Sequence, residues 1–274
     1  MPTAPSLTMN DGKTIPQIGF GVWQVPDDEV TAATLTALEV GYRHVDTAAV
    51  YENERGVGEA IARSGLERDE IFLTTKVWNT DHGYDQTLRA FDKSLALLGV
   101  DEVDLYLVHW PAPVTGDYLS TWRAVIALHA AGRARSIGVS NFHEQHLTHI
   151  IDETGVVPVL DQIELHPWLP QAQLRGKAAE LGILIEAWSP LASGELISNP
   201  VLAAVAAEHA KSPAQVMIRW HLQLGNVVLP KSVTPARIRE NIDVFDFALT
   251  PANMSAMAAI ENGHRTGPNP QEFM

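Results

Sequence analysis

Short runs rich in β-branched and large apolar residues alternate along this chain with longer stretches whose apolar positions recur every three or four residues. The short runs cover residues 18–21, 43–46, 71–76, 103–109, 134–139, 159–163, 184–187 and 227–229, which predicts eight strands. The longer stretches predict helices over 29–40, 52–63, 84–98, 118–131, 144–153, 171–181, 213–224 and 236–242, with an additional helix over 201–209. Ser212 before Pro213 supplies a side-chain cap followed by a residue suited to the first helical turn. Strictly alternating strands and helices imply parallel strands joined by helical crossovers. Eight such units, with no Pro/Gly/Ser-rich linker between them, predict a closed (β/α)8 barrel, an α/β fold in a single domain spanning residues 1–274, rather than an open doubly wound sheet. Residues 7–18 alternate around Asn10-Asp11-Gly12, a choice of residues suited to a tight hairpin turn, so a small β-hairpin should open the fold. The segment from 262 to 274, with Gly263, Gly267, Pro268 and Pro270, reads as a loop.

Composition narrows the class of partner. With 46% hydrophobic residues in 274, the chain can bury a large core. A formal charge of -14 disfavours nucleic acid and anionic membranes as general partners, so any phosphate must meet a local basic pocket. The sequence contains no cysteine, which removes disulfides, thiolate metal sites and a cysteine nucleophile from consideration. Neither a leader-like N-terminus nor a membrane-length apolar run is present, and a cytoplasmic protein is expected.

In a barrel of this type the reactive groups lie at the C-terminal ends of the strands. Four candidates fall there together: Asp46 closes the second predicted strand, Tyr51 follows in the next loop, Lys76 closes the third, and His109 closes the fourth. Reduction of a carbonyl by hydride builds negative charge on oxygen, which must receive a proton. A phenol releases its proton reluctantly, and a neighbouring ammonium draws its pKa down, with a carboxylate holding that ammonium charged. Tyr51 therefore reads as the acid, Lys76 as its modulator and Asp46 as the anchor of Lys76. His109 reads as a hydrogen-bond donor that orients the carbonyl. Trp23, Trp78 and Trp110 follow strand ends and would wall an apolar substrate pocket together with Tyr51 and His109.

The strings Gly41-Tyr-Arg-His-Val-Asp-Thr-Ala48, Leu73-Thr-Thr-Lys76, Val103-Asp-Leu-Tyr-Leu-Val-His-Trp-Pro111, Ser136-Ile-Gly-Val-Ser-Asn-Phe142, Gln162-Ile-Glu-Leu-His-Pro167 and Leu229-Pro-Lys-Ser-Val233 resemble, in order and along nearly the whole chain, the aldo-keto reductase family. Within it the chain is most similar to bacterial 2,5-diketo-D-gluconate reductases, which share the pattern Glu240-Asn-Ile-Asp-Val-Phe-Asp-Phe247. The resemblance implies a metal-free, frequently monomeric barrel that uses NADPH to reduce small aldehydes and ketones, α-dicarbonyls and keto-sugar acids among them, through the tetrad Asp46, Tyr51, Lys76 and His109. It implies that Ser140, Asn141 and Gln162 hold the nicotinamide carboxamide and that Trp188 stacks on the nicotinamide. It places Gly21, Val22, Trp23, Asp46, Ser189 and Leu191 along the cofactor, and Lys231, Ser232, Val233 and Arg237 around the 2′-phosphate, with Glu240 and Asn241 near the adenine. Two departures from the family pattern stand out. Asp161 replaces a common Asn, and Thr234-Pro235 stands where the diketogluconate reductases tend to have basic residues, which would soften the grip on the 2′-phosphate. The alternative to an enzyme is a regulatory barrel of the same family that binds cofactor with little turnover; the intact tetrad favours the enzyme.

Three other signals point nowhere further. Gly19-Phe-Gly21 and Gly56-Val-Gly58 begin a dinucleotide fingerprint that neither completes. His143, His146 and His149 share one helical face at a spacing short of the zinc-protease motif, and read as a solvated surface. Ser189 and Ser193 lack a nucleophile-elbow sequence.

Overall fold

A computed structural model describes residues 4–114 and 116–273. The chain opens with an antiparallel hairpin, β1 (Ser6–Thr8) and β2 (Thr14–Pro16), whose turn places Gly12 at φ 82°. An eight-stranded parallel sheet follows: β3 (Phe20–Gly21), β4 (His44–Asp46), β5 (Phe72–Val77), β6 (Val103–Val108), β7 (Ala134–Ser140), β8 (Leu160–Glu164), β9 (Leu184–Trp188) and β10 (Val227–Val228), each paired with its neighbour in chain order. Ile18 bridges Val228 in parallel, and the Gly19 N–H donates to the Val228 carbonyl at 2.9 Å, so the sheet curls round and joins its first segment to its last. Strand β6 is buried along its whole length, as expected of a strand covered on both faces.

The helices are α1 (Asp27–Glu39), α2 (Glu54–Arg63), α3 (Tyr84–Leu98), α4 (Tyr118–Ala130), α5 (Glu144–Thr154), α6 (Ala172–Glu180), α7 (Pro200–His209), α8 (Pro213–Gln223), α9 (Pro235–Ile242) and α10 (Pro251–Ala258). The predicted cap at Ser212 forms: its hydroxyl accepts from the Gln215 N–H while the Gln215 side chain accepts from the Ser212 N–H. Helix α10 has no counterpart in the pattern reading, although Thr250 caps it in the same reciprocal way with Asn253. Gly56 and Gly58 lie inside α2, where a Cβ would overlap Val30 of α1 or the Leu98 carbonyl that ends α3. They are packing glycines that let three helices lie close.

The hairpin plugs the end of the barrel at which the strands begin. Met9 and Ile15 are buried against Leu105, Leu107, Val159, Leu160 and Val227 inside the barrel. Asn10 donates to the Pro158 carbonyl and Ser136 to Asp11, fastening the plug to the rim. The opposite end is left open for chemistry. Among the described residues no helix is long and apolar enough to cross a membrane.

Candidate active site

The four tetrad candidates converge at the open end of the barrel. Asp46 ends β4, Lys76 lies in β5, His109 follows β6, and Tyr51 ends a 3₁₀ turn over Ala49–Tyr51. Lys76 is fully buried, and its ammonium donates to Asp46 Oδ1 at 2.6 Å, the Thr47 carbonyl at 2.9 Å and the Tyr51 hydroxyl at 3.4 Å. The turn that presents Tyr51 is held by Asn53, a buried residue to which the sequence reading gave no role. Its amide donates to the carbonyls of Val22 and Val25, and it accepts from the Thr47 hydroxyl.

Burial opposes charge throughout this cluster. It works to lower Lys76, but Asp46 and Tyr51 outweigh it and hold the ammonium above the ordinary lysine range. Burial lifts the Asp46 carboxyl against the pull of Lys76 and Gln162. For Tyr51 burial also dominates: Lys76 draws the phenol down as expected, yet the sum lies above the ordinary tyrosine value. The expectation of a net depressed Tyr51 is thus corrected, and the phenol carries its proton throughout the neutral range. Burial, with Lys76 and His82 adding to it, holds His109 well below the ordinary imidazole range and therefore neutral. His109 Nδ1 is buried without a partner, leaving Nε2 as the ring nitrogen open to the adjoining space.

That space is a cavity of about 460 Å³ lined by Trp23, Tyr51, Trp78, His109 and Trp110, and by Ser140, Asn141, Gln162 and Trp188. All five predicted substrate contacts and the four predicted nicotinamide contacts therefore meet at one place. The polar part is a closed network. Ser140 donates to the Gln162 carbonyl, Asn141 to Ser140 and to the His109 carbonyl, and the Trp188 indole to Asn141 Oδ1. Asn141 sits at φ 63°, in the left-handed region that suits Asn better than most residues.

Part of the wall was not foreseen. Gly267, Pro268 and Phe273 of the C-terminal segment line the cavity, and Phe273 packs at 4.4 Å between ring centroids on Trp110 and at 6.0 Å on Trp78. Buried Glu164 anchors this segment: it accepts from the Thr266 N–H and hydroxyl and the Gly267 N–H, and pairs with Arg265. Although burial alone would raise the Glu164 carboxyl, bonds from His166 and Thr266 hold it below its ordinary value. A side chain at position 267 would collide with the Trp188 ring, so only glycine lets the segment pass so close.

Residues 17–262 match the model of the aldo/keto reductase family. The chain belongs to that family. This aldo-keto reductase is 55% identical over 270 residues to an aldo-keto reductase of Mycolicibacterium smegmatis, with 98% of each chain covered. It is 48% identical over 269 residues to the methylglyoxal reductase DkgA of Escherichia coli, with 97% of each covered. A variant of Gox0644 solved in complex with NADPH superposes with a TM-score of 0.96 at 46% identity over the whole of both chains. Membership of that family makes the protein an oxidoreductase.

The remaining predicted contacts of this reductase lie along and beyond the cavity. Gly21 ends β3 in register with Asp46 of β4. Val22 is different: its side chain is in the core, its N–H donates to the Asp46 carbonyl and its own carbonyl accepts from Asn53, so it presents no side chain to a cofactor. Ser189 and half-buried Leu191 follow β9, Ser189 at φ 47°. Lys231, Val233 and Arg237 are exposed after β10 and at the start of α9, with Ser232 buried among them and Glu240 and Asn241 one to two turns on. The histidine run departs from expectation. His146 is buried rather than solvated, accepting from the His143 N–H to cap α5, and His149 bonds the Tyr118 hydroxyl. Among the described residues no group of three His, Cys, Asp or Glu is arranged to hold a metal ion.

Proposed function

We propose that this aldo-keto reductase reduces small carbonyl compounds, α-dicarbonyls and keto-sugar acids among them, with NADPH as hydride donor and Tyr51 as proton donor. The single observation that carries the reading is the position of Lys76, 2.6 Å from Asp46 and 3.4 Å from the Tyr51 hydroxyl, at the edge of an aromatic cavity. The residues present suit the cofactor. Both N–H groups of the Gln162 amide are engaged inside the protein, which leaves its Oε1 to accept from a carboxamide. Lys231 and Arg237 make no ion pair among the described residues and offer an otherwise acidic protein a site for a phosphate.

NADPH, when bound, supplies the hydride. The chain supplies the rest. Tyr51 gives its proton to the carbonyl oxygen as negative charge builds there, and the Lys76 ammonium stabilises the phenolate left behind. Asp46 keeps that ammonium charged and aimed. His109 is neutral; because a buried N–H without an acceptor is costly, its proton belongs on Nε2, where it donates to the same oxygen. The tryptophans and Phe273 exclude water, which strengthens each of these interactions.

The test is NADPH oxidation with methylglyoxal, phenylglyoxal, a simple aromatic aldehyde and 2,5-diketogluconate, run beside Tyr51→Phe. The variant should bind NADPH nearly as the wild type does while turnover falls by about 10²–10⁴-fold, the usual worth of a positioned acid. Undiminished turnover would remove Tyr51 from the proton-donor role, and tight NADPH binding without oxidation in the wild type would favour a regulatory barrel.

A further inference from the structure

Strands β8 and β9 are paired so that Gln162 stands beside Glu186, and both side chains are buried. The Gln162 amide nitrogen donates to Glu186 Oε2 at 2.7 Å and to Asp46 Oδ2 at 2.8 Å. Those two carboxyls come from β9 and from β4, which is separated from β8 by three strands of the sheet. An amide has two N–H groups, and here each has one carboxyl oxygen as its acceptor. Rotating the amide by half a turn would set its carbonyl oxygen against the Asp46 carboxylate that pairs with Lys76, so one orientation alone is compatible with the site. In that orientation Oε1 is the group left for a ligand.

We propose that Glu186 is a positioning residue of the reductase: by locking the Gln162 amide it fixes the acceptor offered to the nicotinamide carboxamide and keeps the other N–H of that amide on the Asp46 carboxylate. The proposal rests on the function argued above. It extends that site by a carboxyl that touches neither substrate nor cofactor.

The electrostatics give Glu186 a second effect. It brings another carboxyl into a buried cluster whose one cation is Lys76. The charged or titratable groups that face it are Asp46 and His44 from β4, Lys76 from β5 and, at longer range, Tyr51. From β10 the neighbour in register is Val227, which carries no charge. His44 Nε2 lies 3.7 Å from Glu186 Oε1, and that oxygen is buried with no hydrogen-bond partner. A bare buried carboxylate oxygen is costly, and a protonated carboxyl less so. Burial first, then Asp46, pushes the carboxyl up to about 8 against the pull of Gln162 and Lys76. Glu186 is therefore neutral at neutral pH. Its ionisation at higher pH adds a negative charge that opposes formation of the Tyr51 phenolate.

Glu186→Gln and Glu186→Leu separate the two effects. Gln retains an acceptor for the Gln162 amide but cannot ionise; Leu removes the acceptor. NADPH affinity is read by quenching of tryptophan fluorescence, turnover is followed from pH 6 to 10, and the protonated carboxyl is sought in infrared difference spectra between wild type and Glu186→Gln. Glu186→Leu should weaken NADPH about tenfold, the scale of one lost hydrogen bond, and Gln should restore most of that affinity. The wild type should lose turnover as Glu186 ionises at alkaline pH, in Glu186→Gln that loss should move to higher pH, and the wild type at pH 7 should show a carboxylic-acid band that the variant lacks. The proposal is overturned by unchanged NADPH affinity in Glu186→Leu, or by identical pH profiles and spectra in wild type and Glu186→Gln. A wild type that binds NADPH but reduces no carbonyl would defeat the proposed function while leaving the binding and infrared results to decide the role of Glu186.

Discussion

The two ends of the barrel make the same chain reversals with opposite residues. At the end where strands begin, helix-to-strand turns pass through glycines in the left-handed region, such as Gly99 at φ 68° and Gly155 at φ 70°. There the interior is filled by hydrocarbon, with Met9 and Ile15 of the hairpin against Leu105 and Leu160. At the end where strands finish, Gln24, Ala112 and Ser189 occupy the same left-handed region although each carries a Cβ, at a general cost of about 1–2 kcal/mol per residue, and Asn141 joins them at a smaller cost. Beside them lie buried Asp46, Lys76 and Glu164, charged groups that an interior tolerates only when paired and hydrogen-bonded. One end relaxes the backbone and fills its interior with hydrocarbon, its buried Asp104 held by Arg68 and Arg135 at the rim. The other accepts strain and buried charge so that a few side chains stand in one geometry.

The contrast is tested most severely by Lys76→Met. Removing one member of a buried ion pair leaves Asp46 uncompensated, so turnover should be abolished and unfolding free energy should drop by about 3–5 kcal/mol in a urea titration. Full stability in this variant would show that the open end carries no such load. Acid should come next. His44, His146 and His221 are buried and neutral, burial holding His44 and His221 at about 3 and His146 at about 4. A base whose pKa is depressed in the fold loses stability as pH falls from the unfolded value of about 6.5 toward the folded one, and at pH 4.5 each such group costs about 2–3 kcal/mol. Circular dichroism melts should show the midpoint dropping steeply below pH 6.5; a flat profile to pH 4.5 would mean these rings are solvated. The smallest pair sharpens the backbone half of the comparison. A Cβ at Gly99 would meet no atom within 4 Å, so Gly99→Ala isolates backbone strain and should destabilise by about 1 kcal/mol with activity intact. Gln24→Gly should do the reverse, raising the urea midpoint by no more than about 0.5 kcal/mol in equivalent stability, since relief of strain is offset by the greater freedom of glycine in the unfolded chain.

The barrel was legible because each strand and helix carries its own period, and the tetrad because strand ends can be located from that period. What escaped depended on contacts between distant parts of the chain. Glu164 and Thr266 are separated by 102 residues, and nothing local in either marks them as partners. Phe273 reads as a tail residue until the fold sets it on Trp110. Glu186 left a trace, a lone acid in the apolar run Leu184–Trp188, but its value depends on Gln162 and Asp46 arriving from other strands. Helix α10 was missed although Thr250 and Pro251 signal a start, because its eight residues bury only Asn253 and Met257 and leave little apolar stripe to detect. His146 was misplaced for the converse reason: three histidines on one helical face look solvated until α5 is packed.

The anchoring of the C-terminal segment by Glu164 divides the pocket into two independently replaceable parts. The floor, where charge is handled, is woven into the strands of the sheet and the turns that follow them. The roof hangs largely from one carboxylate through a short stretch of backbone, and Phe273 reaches the cavity from a segment that belongs to no strand or helix. A graft of residues 265–273 that kept glycine at 267 and a hydrogen-bond donor at 266 would give the cavity a new outline with Tyr51, Lys76 and Asp46 untouched. Outline and charge in this pocket are carried by separate stretches of the chain.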